Sequence, residues 1–276
     1  TFEYIEFRDV RFGGAARFGQ VDASGTVVFS GSEFAATAAF DEVTFAEDVL
    51  FDDTRFEEGA SFRGVECRGG TALLEDDVSF AAATFGDRVT FERGQFGYSN
   101  FSDAEFVDDV VFERSEFTDD VTFENVRFGG EADFDEVRFD GDAVFTNAVF
   151  GGPATFRGAI FNGGTNHLAD DAVFRNATFV GAVDFSDVVC TAADFTEVAF
   201  KESATFTEAA FTDSLRLKAV SFGDDTYLDF TEATIDEGRI VQPEDGWVRF
   251  DLTRSTVGDV ELSAADPTDE RELLDY

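Results

Sequence analysis

The spacing of phenylalanine constrains this chain more than any other feature. Phe stands at 29, 34, 40, 45, 51, 56 and 62, again at 80, 85, 91, 96, 101 and 106, and then at 112, 117, 123, 128, 134, 139, 145, 150, 156 and 161. The steps are five and six residues, mostly in alternation. Two residues before each Phe sits a small or β-branched residue, as in Val43 before Phe45, Val49 before Phe51, Ala132 before Phe134, Ala154 before Phe156 and Val198 before Phe200. Such a period marks a stacked repeat whose single unit cannot bury its own apolar face. An undecad could instead wind a helical supercoil, but at about 100° per residue these apolar places share no common stripe. In an extended segment, residues two apart point to one side, so Ala or Val and Phe face inward together. The residues left over, often Gly, Asp, Asn or Glu, turn the corner.

Four such sides close a square coil, which makes the fold all-β, a right-handed quadrilateral parallel β-helix. On these repeats the chain resembles the pentapeptide-repeat family over residues 2–222. The family's common unit has Ala, then Asp or Asn, then Leu; the Phe centre and the six-residue alternate turn resemble its Phe-rich branch. The resemblance is specific for fold and nearly silent about function. Three segments are expected: regular β-helix over 1–222, less regular terminal coils over 223–262, and the start of a capping or linker helix over 263–276. Leu228, Phe230, Ile235, Ile240, Val248, Phe250, Leu252, Val257 and Leu262 carry the loosened rhythm, with Pro243 and Trp247 in a bulge or loop. Asp266 and Pro267 have the form of a helix cap and first position. That helix either covers the last strand edges or opens a downstream domain, and the C-terminal end is a candidate for dimerisation.

With Ala23 and Cys67 in central positions, the register from Phe2 to Phe222 runs unbroken. Two insertions, Arg68 to Ser79 and Asn162 to Val173, share the pattern GGTxxLxDD. Gly69, Gly70, Thr71, Leu74, Asp76 and Asp77 in the first match Gly163, Gly164, Thr165, Leu168, Asp170 and Asp171 in the second. From Phe80 to Phe174 there are 16 turns, or four coils. Both loops therefore leave the same side about 19 Å apart, with Leu74 and Leu168 folding back onto the wall. They are either a duplicated solvated loop or a paired interaction surface.

Cys67 and Cys190 replace Phe 20 turns apart. That separation of about 24 Å is far beyond the roughly 7 Å limit of a disulfide. Two buried free thiols are expected, which fits a reducing cytoplasm. His167, the only His, lies in the second loop, so neither a Ser-His or Cys-His nucleophile nor a structural zinc site can be assembled. Asp119 and Asp120, with Asp140 and Asp142, extend the Asp76–Asp77 and Asp170–Asp171 pairs into an acidic wall. Such a wall is either a solvated face or an oxygen ladder for a hard cation. Stacked acids also offer many carboxylate pairs about 5 Å apart, but a convex wall has no cleft, so no catalytic, cofactor or metal residue is assigned.

The 59 acids against 20 bases, net −39, exclude direct nucleic-acid binding. Disorder is excluded because 43% of the chain is apolar. Apolar runs such as Ala35 to Phe40 are far shorter than the roughly 18 residues of a membrane helix, so membrane attachment would need a flanking region outside this sequence. No secretory signal is visible at Thr1, and the absence of an initiator Met suggests a processed or excised piece. Lys201 and Lys218 are the only lysines. Acidity with so little Lys resembles halophilic proteins, where molar salt screens self-repulsion. A competing reading comes from the family resemblance, since some pentapeptide-repeat proteins resemble duplex DNA and block the DNA saddle of gyrase. Eleven or twelve coils make a rod near 55 Å, and DNA of that length carries roughly 30 charges. The expected function is a non-enzymatic scaffold for an unknown protein partner; the alternative is a DNA mimic that inhibits or protects a type II topoisomerase.

Overall fold

In the computed structural model, which describes residues 4–69, 77–163, 171–222, 226–243 and 248–264, each repeat forms one side of a four-sided coil. Parallel pairing fixes the sides. The first stacks Val27, Val49, Val78, Ser99, Val121, Ala143 and Ala172. The second begins with Phe12, Phe34, Phe56, Phe85 and Phe106. The third stacks the small residues Ala16, Ala38, Ala60, Val89 and Val110. The fourth runs Ala23, Phe45, Cys67, Phe96 and Phe117, so Ala23 and Cys67 hold central places as the turn count predicts. The third side alone is an 11-stranded sheet, which sets the coil number.

The two step lengths are two corners. Five residues lead from the first side to the second and from the third to the fourth, through a tight turn in which Ser32 N donates to Phe29 O (3.0 Å) and Thr54 N to Phe51 O (3.1 Å). The residue two after each of those Phe has positive φ, such as Gly31 (71°), Asp53 (52°), Arg93 (58°) and Asn125 (60°). A type II turn demands this conformation at its third place. Side chains entering the core just after the turn must be small. Where they are polar, the hydroxyl donates to a carbonyl of the preceding coil, as Thr54 Oγ1 does to Phe29 O (3.0 Å) and Ser115 Oγ to Phe91 O (2.8 Å).

Phe rings fill the interior. Phe29, Phe51, Phe80 and Phe101 stack in one column at 4.9, 4.8 and 5.1 Å between centroids. The column of the third side meets it edge-on, with Phe29 and Phe40 5.6 Å apart at 79°. Offset stacks and edge contacts are the favoured aromatic geometries, and each adds about 0.5–1.5 kcal/mol beyond area burial. Because every ring leans on the coils above and below, stability belongs to the stack rather than to a single coil.

The terminal coils keep the four-sided order and the tight turn between third and fourth sides, where Ala209 N donates to Phe206 O and Ala233 N to Phe230 O, but not every corner. Ala204 pairs with Leu228 and Leu228 with Phe250, continuing the third side. Between the fourth and first sides the corner is replaced by continuous strands, Val189–Phe200, Ala210–Phe222, Thr234–Gln242 and Thr256–Ala264, the first two of which run on into the second side. Register shifts between Cys190 and Ala192 and around Val198 absorb the bend in the way β-bulges do. The last strand includes Ser263 and Ala264, the first residues of the segment expected to open a helix. The expected helix at Asp266 to Tyr276, like Trp247, lies outside the described residues.

Candidate functional site

The two loops open at one corner. Glu66–Cys67 and Ile160–Phe161, which precede them, belong to the fourth side, and Val78–Ser79 and Ala172–Val173, which follow, belong to the first. Four pairing steps separate the latter two, so the loop feet stand about 19 Å apart. Both necks are built alike. Gly69 (φ 70°) and Gly163 (φ 57°) take the left-handed conformation. A Cβ on Gly69 would lie 1.9 Å from the Asp77 carboxyl, and one on Gly163 would lie 1.8 Å from Asp171 Oδ1. Each carboxylate also ties its neck to the next coil: Tyr98 N donates to Asp77 Oδ2 (2.8 Å) and Ala192 N to Asp171 Oδ2 (3.0 Å). Gly70, Thr71, Leu74, Asp76, Gly164, Thr165, His167, Leu168 and Asp170 lie outside the described residues.

Between and beyond the loop feet, the residues of the first side that alternate with the core are Val28, Leu50, Ser79, Asn100, Thr122, Val144 and Val173, seven in succession without a charge; Leu50, Asn100, Thr122 and Val144 are partly exposed, and Val28, Ser79 and Val173 are buried. The other sides carry charges at the same places, though less regularly: Glu33, Arg55, Glu105 and Arg127 on the second, Glu66, Glu116 and Arg138 on the fourth, and on the third Asp133 and Asp184 after a shorter uncharged run of Ala39, Ser61, Thr90 and Val111. Ser102 N donates to Asn100 Oδ1 (2.9 Å), so the strip's amide is engaged with its own wall. The strip ends at Asp194, which is 1% exposed and pairs with Arg175 and, at 3.6 Å, Arg216. Burial pushes the Asp194 carboxyl up, but hydrogen bonds from Thr196 and Arg175 hold it below the ordinary range. In the sequence the strip is the residue before every fourth Phe, and the Phe register alone does not single it out.

The acids beside it sit on the corner ridge rather than on a flat wall. Asp142 N donates to Asp120 Oδ1 (2.8 Å), and Asp120 N to Asp119 Oδ1 (2.9 Å). Asp140 accepts from Asn162 (3.0 Å) and pairs with Arg138 (2.7 Å). Burial raises its pKa, but Arg138 and Asn162 outweigh that and leave it low. These carboxylates serve as corner hydrogen-bond acceptors. Among the described residues no three His, Cys, Asp or Glu side chains converge to hold a metal ion. Asp133, on the third side, goes the other way: burial, with Asp135, Glu113 and Glu131 nearby, pushes its pKa up. It lines a hollow of about 80 Å³ with Arg88, Val111 and Glu131, next to a shallow trough of about 350 Å³ on the same side, which Ala39, Ser61, Thr90, Arg63 and Arg88 line.

Cys67 and Cys190 form no disulfide; both are buried, and they stand five pairing steps apart on the fourth side. Burial, then Asp77 and Glu66, push the Cys67 thiol far above its usual pKa, the reverse of an activated nucleophile. No helix among the described residues is long and apolar enough to cross a membrane.

The family model for pentapeptide repeats (9 copies) matches residues 95–138 and 123–166. No curated protein matches the sequence. Among solved structures, the chain is similar to HetL, a pentapeptide repeat protein involved in heterocyst differentiation regulation from the cyanobacterium Nostoc sp. strain PCC 7120. The identity is 10%, over 95% of this chain and 91% of that one, with a TM-score of 0.33. It is also similar to QnrB1, a plasmid-mediated fluoroquinolone resistance protein, at 11% identity over 79% of this chain and 89% of that one, with a TM-score of 0.18.

Proposed function

The chain belongs to the pentapeptide-repeat family, and from that premise we propose that it is a non-enzymatic scaffold whose first side receives a protein partner between the two loops. The uncharged strip, with Leu50, Asn100, Thr122 and Val144 as its partly exposed members, carries this reading. A partner covering that strip has no ionised group to desolvate on it, whereas docking over the same seven coils of any other side would bury carboxylates or guanidinium groups at a cost of several kcal/mol each. The loop necks at Gly69–Asp77 and Gly163–Asp171 frame the strip, and the Asp119, Asp120, Asp140 and Asp142 ridge borders it. The protein works in a reducing cytoplasm of high ionic strength, and its acidity adapts it to that solvent. The test is photocrosslinking in the native host from a reactive residue at Thr122, compared with Glu105 and Asp133 on other sides. A discrete crosslinked partner from Thr122 alone, lost with Val144→Asp, is the expected result; equal capture from all three positions, or none from Thr122, overturns it.

A second reading, mimicry of duplex DNA towards a type II topoisomerase such as gyrase, rests on the net charge of −39 along an 11-coil rod. It requires inhibition of supercoiling by the purified protein at its working salt, unaffected by Val144→Asp. Full supercoiling activity at stoichiometric excess eliminates it.

A further inference from the structure

The third side, opposite the uncharged strip, carries the trough of about 350 Å³. That volume falls within the roughly 300–1,000 Å³ of small-molecule sites. Three successive coils build it, with Ala38 paired to Ala60 and Ala60 to Val89, so it runs about 10 Å along the rod. Its floor is small and uncharged, formed by Ala39, Gly59, Ser61 and the half-buried Thr90. Gly59 gives it depth. The places beside Gly59 in the register hold Thr37 and Arg88, and a Cβ on Gly59 would meet only Arg88 O, at an ordinary contact distance of 3.4 Å. The fold therefore admits a side chain at this position, and its absence keeps the trough open.

Two guanidinium groups line the trough from opposite edges, because the chain enters the third side at Arg88 and leaves it at Arg63. Arg63 is already engaged: its Nε lies 3.0 Å from Glu92 Oε2, and its amide donates to Asp41 Oδ1 (3.1 Å). Arg88 is exposed and makes no ion pair with any described residue. In a chain of 59 acids and 20 bases, that leaves one cation available at the edge of a cavity. Carboxylates limit what can enter. Glu58 and Asp87 stand at the corner beside Arg88, and the adjoining hollow of about 80 Å³ brings in Asp109, Glu131 and Asp133. One negative charge can pair with Arg88, whereas a second would face these acids.

We infer that the trough binds a small monocarboxylate with an apolar body, the carboxylate on Arg88 and the body on Ala39, Gly59 and Thr90. A planar guanidinium holds a carboxylate through two parallel N–H···O bonds. The uncharged floor accepts hydrocarbon but offers nothing to compensate a second ionised group. Inorganic phosphate and dicarboxylates bring the additional charge that the surrounding acids oppose, so selectivity runs against them. The site stands apart from docking on the first side, and either can fail without the other.

Hexanoate is the probe. The full 276-residue chain is titrated with sodium hexanoate at constant sodium chloride and followed through its arginine Nε–Hε and backbone amide resonances. Saturable shifts are expected at Arg88, Ser61 and Thr90. Arg88→Gln should weaken binding about tenfold or more, the scale of a hydrogen bond to a charged group. Gly59→Leu, which fills the floor, should abolish it, and Arg127→Gln on the second side should leave it unchanged. Unperturbed resonances away from the trough will show that the variants stay folded. Hexanol or inorganic phosphate binding as tightly as hexanoate overturns the proposal, because the trough would then read only the chain or only the charge. So does an affinity indifferent to Arg88→Gln or to Gly59→Leu, or the absence of a saturable shift at the trough.

Discussion

Position 163 must lack a Cβ. Gly163 combines a φ of 57° with a carboxylate oxygen 1.8 Å from where a Cβ would be, and the carboxylate is Asp171, which holds the Ala192 amide of the next coil. Gly163→Ala is expected to destabilise by about 1–3 kcal/mol, the range for a strained left-handed residue. It should also accelerate hydrogen exchange at Ala192; unchanged protection there would refute the coupling. Asp194 offers a pH-dependent counterpart. Its pKa is lowered in the fold, so its contribution is complete above the unfolded carboxylate range and disappears as pH falls through the folded value. Asp194→Asn should therefore lower the melting temperature at neutral pH, by about 1–3 kcal/mol in stability for lost charge-assisted hydrogen bonds. The difference from wild type should close in acid, and a gap that widened on acidification would reverse the assignment.

At the scale of the element, the five-residue turn repeatedly places non-glycine residues at positive φ, Ala82 (55°) among them. Asn tolerates that conformation better than Ala, so Ala82→Asn is expected to stabilise by up to about 1 kcal/mol. The same change at the adjacent Ala83, fully buried, should destabilise instead, and chemical denaturation of the two variants checks the sign. The contrast shows what the sequence could disclose. Phe and the small residue before it are dictated by the core, so side, coil number and the common corner of both loops were all legible from spacing. Corner chemistry was not: Asp120 and Asp77 are ordinary turn residues in sequence, and only the stacking of coils aims their oxygens at the amides of Asp142 and Tyr98. The continuous strands after Val189 were hidden for a similar reason, because they depend on bulges that leave the Phe rhythm nearly intact.

Across the whole molecule, each coil is stabilised by its two neighbours, so the position of a defect along the rod decides its cost. Phe123→Ala, in mid-stack between Phe101 and Phe145 and fully buried, should cost about 3–5 kcal/mol, and Phe12→Ala, at a partly exposed ring, clearly less. Urea titration distinguishes this from a uniform core, in which the two would match. Charge is distributed on the same scale. Carboxylates on successive coils repeat at about 4.8 Å, a spacing inside the Debye length of about 10 Å at 0.1 M salt and outside the roughly 3 Å at 1 M. The melting temperature is therefore expected to rise steeply with sodium chloride over that range. Salting-out of apolar surface also raises it, but would do so whatever the charge. Changing the exposed Glu57, Glu58, Glu124 and Glu202 to Gln separates the two effects, because it removes like charges and leaves the Phe core intact. A flatter salt dependence in the variant assigns the slope to self-repulsion; an identical slope assigns it to the core and removes the physical reason for reading the acidity as an adaptation to salt.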